Sequence, residues 1–586
     1  MRASAVDRTI DQHQFRDLLA DRAIVVADLP DGTARELAAK INEPAGPGDA
    51  TLRTRREFDA LFDAIVDTAG PAQGSPSTLR LTDEAGGLTA SGALVTAVRN
   101  ASIGKDEFFR EPVYMVAIDD WPVDEMLPEE PVASTGDARI AVWRADPGDQ
   151  RPIPSSDGSV LFASSTFSLV NSGNRTRNAP KRSWKVDVEP GDDDDRIVGM
   201  ARLNLKSMYN DPAQMREALA WDLFRSIGVP SARHGYARLA INGAYRGLFS
   251  LIEQVDRGFL RERFGPNNHG NLYKAYCGDV GCATLGRRVD ANGDDSGRQY
   301  FTPGHPDLTY RLKSNEDDPA ANTYDDLAQL IRVINGTGLP GDRGRFDTDA
   351  FRVSVEAVLD VRAFLRWAGA NVLLASWDNY YATPSNYYLY NSGRRGAPKH
   401  FMATPYFTFI PWDYDNCLGV DYFGTSWQYT DLLDWPASTS AYNGHKGRSR
   451  IPLVQNLLAN HDFAQYYLDH LEHLLDTWFT AEAVRARMTG SDGSPLWPRV
   501  ATSAYLEAGF PYSAPVTGRQ FTNDEVYRAA HEQQELRRGN EFALGIYHYV
   551  RMRYDSARTQ LTALRGTYPA GASGAQFTGV AEPLPG

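Results

Sequence analysis

Cysteine is scarce in this chain, which narrows the kinds of protein that it can be. The 586 residues include three cysteines, Cys277, Cys282 and Cys417. Such sparse use is typical of a reducing compartment and argues against a fold held together by disulfides. The first two lie in CGDVGC, where they could close a local disulfide or form half of a metal site, but we expect two inert thiols.

Long apolar runs and an excess of basic charge are also absent. No run reaches the roughly 18 apolar residues of a membrane-spanning helix, and MRASAVDRTIDQHQF lacks the apolar core of a secretion signal. The formal net charge is −14, which disfavours nonspecific nucleic-acid binding as the main role. We therefore expect no membrane span and no nucleic-acid partner, and the missing signal and few cysteines indicate a cytoplasmic protein.

The composition and length fit a soluble globular protein of several domains. The chain is 42% hydrophobic and 23% charged, and its length allows roughly two to four domains. Residues 1–108 are predicted to form a mixed α/β segment of unknown role, because two of its stretches have helical apolar spacing. Residues 569–586 are rich in Gly, Ala and Pro and are predicted to be a flexible tail.

The middle of the chain begins with short apolar runs that are typical of strands. These runs are EPVYMVAI, ARIAVWR, SVLFASSTFSLV and RSWKVDVE, followed later by GYARLAI and YRGLFSLIEQV with NGAY as the turn between them. The acidic run GDDDD at 191–195 is predicted to be a solvated hairpin loop rather than a metal site.

A helix is predicted between these two groups of strands. Asp211 is placed as its N-cap, Pro212 at its first position, and Gln214 as the partner in a capping box. Its apolar face and its end are predicted from Leu219, Leu223, Ile227, Gly228 and Pro230.

The rest of the chain is mainly helical by its apolar spacing. One helix is predicted to begin at Asp360 and to run directly into Asp378. Its apolar stripe consists of Val361, Phe364, Leu365, Ala368 and Val372. The stretch from IPLVQNLL to DTWF is predicted to be helical as well.

This order of elements predicts an α+β, two-lobed, kinase-like fold. The β-rich lobe is placed at 109–255, the helical lobe at 256–480 and a helical C-terminal extension at 481–568, with LIEQVDRGFL as a hinge. The usual kinase motifs, a G-x-G-x-x-G loop, H-R-D and D-F-G, are missing from the sequence.

Four polar residues have the order that phosphoryl transfer requires. The reaction needs a carboxylate near the acceptor hydroxyl and oxygen ligands that hold Mg²⁺ against the nucleotide phosphates. Asp378 follows the predicted helix, Asn386 follows eight residues later, and two apolar strands then lead to Asp413 and Asp415 in PWDYDNCLG. We predict Asp378 as the catalytic carboxylate and the other three as metal ligands.

Each of these residues also has an ordinary structural interpretation. Asp378 could be a surface residue at a helix end, Asn386 a turn residue after Pro384, and Asp413 a cap at a strand end. Their common order between a predicted helix and two predicted strands favours the functional interpretation.

The β-rich lobe should provide a cation for the nucleotide phosphates. Lys185 in SWKVDV points away from the apolar face of its strand, although a surface lysine with a buried stem is an alternative. Lys274 is a second candidate. Glu253 could pair with such a lysine or lie in the hinge, whose backbone could face an adenine. Arg216 lies on the predicted helix that would reach the cleft.

Several stretches together resemble the spore coat protein H (CotH) kinase family. They are GNRTRNAPKRSWKV, the block from LNLKSMYNDP to LIEQVD, and ANVLLASWDNYYATPSNYYLY with FTFIPWDYDNCLG. The resemblance covers about residues 110–480, and the order and spacing of the stretches are more specific than any single one.

The resemblance implies an ATP-dependent and Mg²⁺- or Mn²⁺-dependent kinase that phosphorylates Ser or Thr of a secreted or coat protein. It implies a catalytic role for Asp378, metal binding by Asp413 and nucleotide contact by Lys185. It extends less securely to Arg216 and Glu253, and also to Lys274. It further implies spore coat or cell-surface residence, whereas the sequence itself indicates the cytoplasm.

Two departures and two alternative functions accompany the resemblance. The segment 1–108 lies outside it, and an insert has Asp290, Asn292, Asp294 and Ser296 at the alternate spacing of a Ca²⁺ loop. Because Asp295 replaces the usual Gly of such a loop, we expect a polar surface loop there. The alternatives are a catalytically dead adhesion-type binding protein and an enzyme that transfers a nucleotidyl or other group.

Overall fold

The structure is a computed structural model, and it describes the greater part of the chain from residue 105 onward. The described residues are 105–110, 113–122, 132–134, 138–156, 160–173, 181–188, 197–278, 281–288, 300, 309–341, 343–394, 400–421, 424–434, 451–490, 496–509, 521–531, 535–538 and 541–570. The predictions for the N-terminal segment before residue 105, for the acidic run at 191–195, for the 290–296 loop and for the tail after 570 lie outside these residues.

The chain forms two compact units, one rich in strands and one mainly helical. Among the described residues, the first unit contains those up to Ser207 and Arg233–Gln254, and the second contains Met208–Ala232, Val255–Ala508 and those from Gln520 onward. The predicted α+β, two-lobed class is confirmed. The division between Gln254 and Val255 falls inside the stretch predicted as a hinge.

The first unit is built on one nine-stranded sheet with the order β2-β5-β6-β7-β9-β8-β1-β3-β4. All neighbouring strands are antiparallel except β1 and β8, which are parallel. A helix, α1 (Lys105–Arg110), precedes the strands. The strands are β1 (Val113–Asp119), β2 (Val132–Ala133), β3 (Arg139–Ala145), β4 (Val160–Ser164), β5 (Ser168–Ser172), β6 (Ser183–Asp187), β7 (Arg202–Lys206), β8 (His234–Ile241) and β9 (Ala244–Glu253).

Alternation along the strands sets the core of this unit. On β6, Trp184 and Val186 belong to the buried apolar cluster, whereas Lys185 is half-buried and lies on the other face. The hairpin between β8 and β9 turns at Asn242 and Gly243, both with positive φ, as a two-residue turn requires. These features confirm the predicted strand faces and the NGAY turn.

The second unit combines eleven described α-helices with short strands. Its helices are α2 (Arg216–Ser226), α3 (Arg257–Phe264), α4 (Asp325–Ile334), α5 (Asp349–Glu356), α6 (Val361–Leu374), α7 (Pro452–Leu458), α8 (His461–Thr477), α9 (Ala481–Thr489), α10 (Leu496–Gly509), α11 (Asn523–His531) and α12 (Ile546–Leu564). No helix in the described part of the chain is long and apolar enough to cross a membrane.

Among its described residues, this unit also contains three small sheets. The largest has the order β13-β10-β14-β15, and the others are the hairpin β11-β12 and the sheet β16-β18-β17. Their strands are β10 (Asn271–Ala275), β11 (Cys277–Gly278), β12 (Gly281–Cys282), β13 (Tyr310–Leu312), β14 (Tyr387–Asn391), β15 (Phe407–Pro411), β16 (Val420–Asp421), β17 (Glu535–Arg538) and β18 (Glu541–Leu544).

Helix α2 begins later than predicted, and Asp211 is not its N-cap. The helix starts at Arg216 after Met215, because Gln214 takes a left-handed backbone conformation (φ +55°) that interrupts any earlier helical turn. Asp211 instead accepts hydrogen bonds from the backbone N–H groups of Ala213 (2.9 Å) and Arg216 (2.8 Å). The predicted capping box is therefore wrong, although the predicted apolar face is buried.

The expectation of two inert thiols at Cys277 and Cys282 is also wrong, because they form a disulfide. The antiparallel register of β11 and β12 places the two residues directly opposite each other, with their Cα atoms 4.1 Å apart. Spacing alone did not reveal this hairpin. Cys417 is a buried free thiol.

Candidate active site

Helix α6 delivers Asp378 to its position. Its N-cap is Asp360, as predicted, whose carboxylate accepts from the backbone N–H of Ala363 at 3.0 Å. The predicted apolar stripe is buried along the helix. The helix ends at Ala375 in a left-handed conformation (φ +46°), and Asp378 follows three residues later with a half-buried side chain.

Two side chains hold the carboxylate of Asp378. The hydroxyl of Thr383 donates to its Oδ1 at 2.6 Å, and Nδ2 of Asn416 donates to its Oδ2 at 3.2 Å. Asn416 is fixed in turn by Nδ2 of Asn210, which donates to its Oδ1 at 2.7 Å. One donor comes from the loop after Asp378 and the other from the PWDYDNCLG segment, so the carboxylate connects the two predicted segments directly.

Asn386 lies at the end of this loop in a constrained conformation. Its φ is +52°, a region that asparagine tolerates better than most residues. Its Nδ2 donates to the backbone carbonyl of Asp378 at 2.8 Å. This bond fixes the amide orientation and leaves Oδ1 as the atom that can bind a metal ion.

The hairpin of β14 and β15 brings the segment that contains Asp413 next to Asn386. Tyr387 pairs with Pro411 in the register, and the backbone N–H of Trp412 donates to the carbonyl of Asn386 at 3.1 Å. Asp413 comes next, half-buried and with a φ of +65°. Left-handed backbone at a non-glycine residue costs of order 1–3 kcal/mol and is concentrated at functional sites.

Tyr414 separates the two predicted metal carboxylates and connects them to α6. Its side chain is completely buried, while Asp413 and Asp415 on either side of it are half-buried. Its hydroxyl accepts from Nε1 of Trp367 at 2.6 Å and donates to Oδ1 of Asn371 at 3.1 Å. Burial raises the pKa of this hydroxyl, which therefore remains a donor at ordinary pH.

Asn371 continues this network to the turn that carries Asp378. Its Oδ1 also accepts from Nδ2 of Asn379 at 2.8 Å, and the same Nδ2 lies 3.0 Å from the hydroxyl of Ser376. Sequence reasoning missed Asn371, Asn379, Thr383 and Asn416. Two signals were available in the sequence. Asn371 is a polar residue within an apolar helical stretch, and Asn416 is the one asparagine of PWDYDNCLG.

Three residues near this end of the hairpin carry oxygen donors of the kind that Mg²⁺ binds. Among the described residues there is no group of three or more His, Cys, Asp or Glu side chains that could hold a metal ion. Asp413, Asp415 and Asn386 provide two carboxylates and one amide oxygen. Mg²⁺ is commonly held by one or two carboxylates plus substrate phosphates, and the metal roles of these three residues stay predictions.

Lys274 lies on the sheet that contains this hairpin. It is on β10, directly opposite Tyr388 of β14, and its Nζ is 5.7 Å from the centre of the Tyr388 ring. Lys274 therefore lies opposite a residue that is two positions after Asn386 in the chain. Its nucleotide contact stays a prediction.

Arg216 is completely buried and binds protein groups in the second unit. It pairs with Asp211, its Nε donates to the carbonyl of Leu418 at 3.3 Å, and its Nη2 donates to the carbonyl of Leu544 at 2.5 Å. The neighbouring Glu217 accepts from the backbone N–H of Tyr414 at 3.3 Å. These contacts support a role in fixing the PWDYDNCLG segment; nucleotide contact by Arg216 stays a prediction.

The remaining two candidates belong to the first unit. Lys185 is half-buried on β6, between Val170 and Asn204 of the neighbouring strands. Glu253 ends β9 and is 2% exposed, and its Oε1 lies 2.7 Å from Nη1 of Arg233. Glu253 therefore forms an ion pair with an arginine of its own unit. The nucleotide roles of Lys185 and Glu253 stay predictions.

Comparison with known proteins gives a consistent family match. A family model described as "CotH kinase protein" matches residues 170–492, more than half of the 586 residues. The inner spore coat protein H of Bacillus subtilis (strain 168) is 24% identical over 317 residues, which cover 54% of this chain and 73% of that protein.

Two fungal proteins are similar over shorter shares of their length. Invasin CotH2 of Rhizopus delemar is 25% identical over 44% of this chain and 38% of its own length. Invasin CotH3 of the same organism is 24% identical over 51% of this chain and 44% of its own length. The chain thus spans less than half of these two invasins.

Proposed function

The chain belongs to the CotH kinase protein family, and on that premise we propose that it is an ATP- and divalent-metal-dependent phosphotransferase acting on Ser or Thr of a protein. The observation that carries the proposal is the carboxylate of Asp378, oriented by Thr383 and Asn416. Asn386 donates to the backbone carbonyl of Asp378. Asn386 and Asp413 lie at the same end of the β14–β15 hairpin.

In this proposal, Asp378 accepts a hydrogen bond from the acceptor hydroxyl and orients it toward the γ-phosphate. Hydrogen bonds from Thr383 and Asn416 stabilise the ionised form of the carboxylate and hold it in one rotamer. Positioning of this kind is the main contribution that a protein makes to phosphoryl transfer, since the transition state is loose and highly charged.

The metal and nucleotide roles follow from the donor atoms. Asp413, Asp415 and Oδ1 of Asn386 would hold Mg²⁺ or Mn²⁺, which when bound neutralises charge on the transferring phosphates. Lys274 in the second unit would contact phosphate oxygens, and the nucleotide role of Lys185 stays a prediction. Glu253 would not contact phosphate itself, because its carboxylate and the phosphate are both anionic. It would act through a neighbouring cation such as Arg233.

The proposal is tested by incubating the full chain with Mn²⁺ and either γ-labelled or α-labelled ATP. A casein-type Ser/Thr-rich protein serves as the acceptor, and intact mass identifies the group transferred. We expect the γ label alone to move. Asp378→Asn should lower the rate roughly 10²–10⁴-fold, the usual contribution of a positioned carboxylate.

The matched control for this experiment is Asp349→Asn. Asp349 is another helix-associated aspartate whose side chain is 86% exposed, and this variant should keep the wild-type rate. Both variants should unfold near the wild-type temperature, since neither carboxylate lies in the apolar core. Full turnover by Asp378→Asn would contradict the assignment, and movement of the α label would identify a nucleotidyl transferase instead.

A second candidate function is an adhesion-type binding protein without turnover. It is favoured by the names of the similar fungal proteins, which are called invasins. If the wild-type chain transfers no label with any acceptor or metal but still binds Mn²⁺ and ATP, this candidate becomes the better description.

A further inference from the structure

The end of helix α6 receives hydrogen bonds from a part of the chain far away in sequence. The last carbonyl groups of an α-helix have no partner within the helix. At the end of α6, the carbonyl of Val372 accepts from Nε of Arg553 at 3.1 Å, and that of Leu373 accepts from the hydroxyl of Tyr549 at 2.7 Å. Leu374 accepts from the backbone N–H of Leu418 at 2.7 Å.

Arg553 is a buried cation whose partners are backbone carbonyls. It is completely buried on α12, and its Nη1 also donates to the carbonyl of Thr430 at 2.6 Å. Removing a guanidinium from water is costly unless its donors are satisfied. The negative end of the α6 dipole, at Val372 and its neighbours, compensates part of this cost because cations are stabilised at helix C-termini.

Strand β18, immediately before α12, pairs with the backbone that follows the predicted metal ligands. Leu544 donates its N–H to the carbonyl of Gly419 at 3.0 Å, and β18 continues this pairing along Val420–Asp421. The carbonyl of Leu544 accepts from Arg216. The C-terminal segment therefore contacts both the end of α6 and the end of PWDYDNCLG.

Gly419 provides a second and independent sign of this close approach. A Cβ atom at this position would lie 2.9 Å from Cβ of Leu544 and 3.1 Å from Cβ of Tyr549. Real Cβ atoms essentially never approach another atom within 3.0 Å, and the φ of +94° also favours glycine. The last glycine of the motif thus makes room for the C-terminal segment.

We propose that Tyr549 and Arg553 are positioning residues for Asp378, and that residues 541–564 belong to the catalytic unit although the family match ends at residue 492. The two side chains fix the helix end from which Asp378 projects, while β18 fixes the segment that contains Asp413 and Asn416. This inference rests on the proposed phosphotransfer function for its kinetic consequence only.

The test uses Tyr549→Phe in the full chain, because this variant removes one hydroxyl and keeps the ring. Its matched control is Tyr390→Phe, which removes another buried hydroxyl that donates to a backbone carbonyl, that of Asn267. Calorimetry with Mn²⁺ and ATP counts the nucleotide-binding sites in each preparation. The rate of γ-label transfer is then expressed per binding site.

We expect Tyr549→Phe to lower kcat per site roughly threefold to tenfold, since small misplacements of a positioned group are costly, with KM for ATP unchanged. Tyr390→Phe should keep the wild-type value. A purely structural role for Tyr549 would lower the number of binding sites and leave kcat per site unchanged, and that result would overturn the inference. Arg553→Lys, which keeps the charge but not the forked donor, should act in the same direction.

Hydrogen exchange separates this inference from the proposed function. Peptides that cover residues 365–379 should exchange faster in Tyr549→Phe than in wild type or in Tyr390→Phe. If the wild-type chain transfers no label, the proposed function fails and the exchange result alone decides; equal exchange in all three proteins would then overturn the inference. If label is transferred and kcat per site is equal, the inference fails while the function stands.

Discussion

Asn416 is the residue at which the two halves of the candidate site meet. Its Nδ2 donates to Asp378, its Oδ1 accepts from Asn210, and its chain neighbours include Asp415. Since an amide is both donor and acceptor, it can join a carboxylate to another amide without adding charge. An ionised carboxylate at position 416 would instead repel the carboxylate of Asp378.

Asn416→Asp should therefore move the acid limb of the pH–rate profile upward. A carboxylate in place of Nδ2 would face Oδ2 of Asp378, and two adjacent carboxylates resist ionising together, so the active form appears about one pH unit or more higher. The control is Asn335→Asp, which changes an asparagine that binds the carbonyls of Leu285 and Ile331. The measurement is γ-label transfer between pH 5 and pH 9; coincident profiles for wild type and Asn416→Asp would refute the role.

At the scale of elements, apolar periodicity predicted the helices and strands whose formation depends on burying an apolar face. The stripe on α6, its cap at Asp360 and the β14–β15 hairpin were all predictable. The start of α2 was not, because Gln214 takes a left-handed backbone conformation that apolar spacing does not indicate. A long-range or strained feature leaves no periodic signal.

The polar contacts of the site show the same division. Asp378 and Asp413 could be selected by their order along the chain, since each follows a predictable element within four residues. The hydrogen bond from Asn416 to Asp378 joins residues separated by 38 positions, and the capping of α6 by Tyr549 joins residues separated by 176. No spacing rule reaches over such distances, so these partners required the folded chain.

The packing of α6 against α8 includes a buried histidine with a consequence for stability. His470 is 1% exposed, and a Cβ atom on Gly369 of α6 would lie 3.1 Å from its ring. Burial, followed by the positive charges of Arg366 and His473, lowers the pKa of His470 to about 3. The imidazole is therefore neutral in the folded chain over the ordinary pH range.

The sign of the pH dependence follows from this lowered pKa. Below about pH 6.5 the unfolded chain binds a proton at His470 and the folded chain does not, so stability falls as pH falls toward about 3. The loss at pH 4 is about 3 kcal/mol at 1.36 kcal/mol per pH unit. His470→Gln should lose less Tm between pH 7 and pH 4 than wild type, and His461→Gln on the same helix is the control. Equal losses in wild type and His470→Gln would contradict this account.

At the scale of the whole molecule, the family match and the folded units have different limits. The match covers 170–492, whereas the second unit also includes the residues from Gln520 onward. The sequence predicts a helical C-terminal extension at 481–568, and those boundaries stay a prediction. The contacts of Tyr549, Arg553 and Leu544 argue that β18 and α12 are structurally continuous with the lobe that contains Asp378.

A chain that ends at residue 534 should consequently lose the stability of the second unit, whereas a chain that ends at residue 570 should keep it. The shorter chain lacks β17, β18 and α12. It exposes the carbonyls of Val372 and Leu373, removes the strand that pairs with Val420–Asp421, and leaves Arg216 without the carbonyl of Leu544. Each buried polar group without a partner costs about 1–3 kcal/mol, which is a large part of a domain's total stability of about 5–15 kcal/mol.

The two truncations are compared by their thermal transitions and by limited proteolysis. The chain ending at 570 retains every one of these contacts and is the matched control for simple shortening. We expect it to unfold at the temperature of the full chain, and we expect the chain ending at 534 to show new protease cleavage around residues 375–386, where the loop of Asp378 follows the uncapped end of α6. If the chain ending at 534 keeps both the Tm and the protease resistance of the full chain, the C-terminal segment is an accessory to the lobe and the positioning of Asp378 lies within the family match itself.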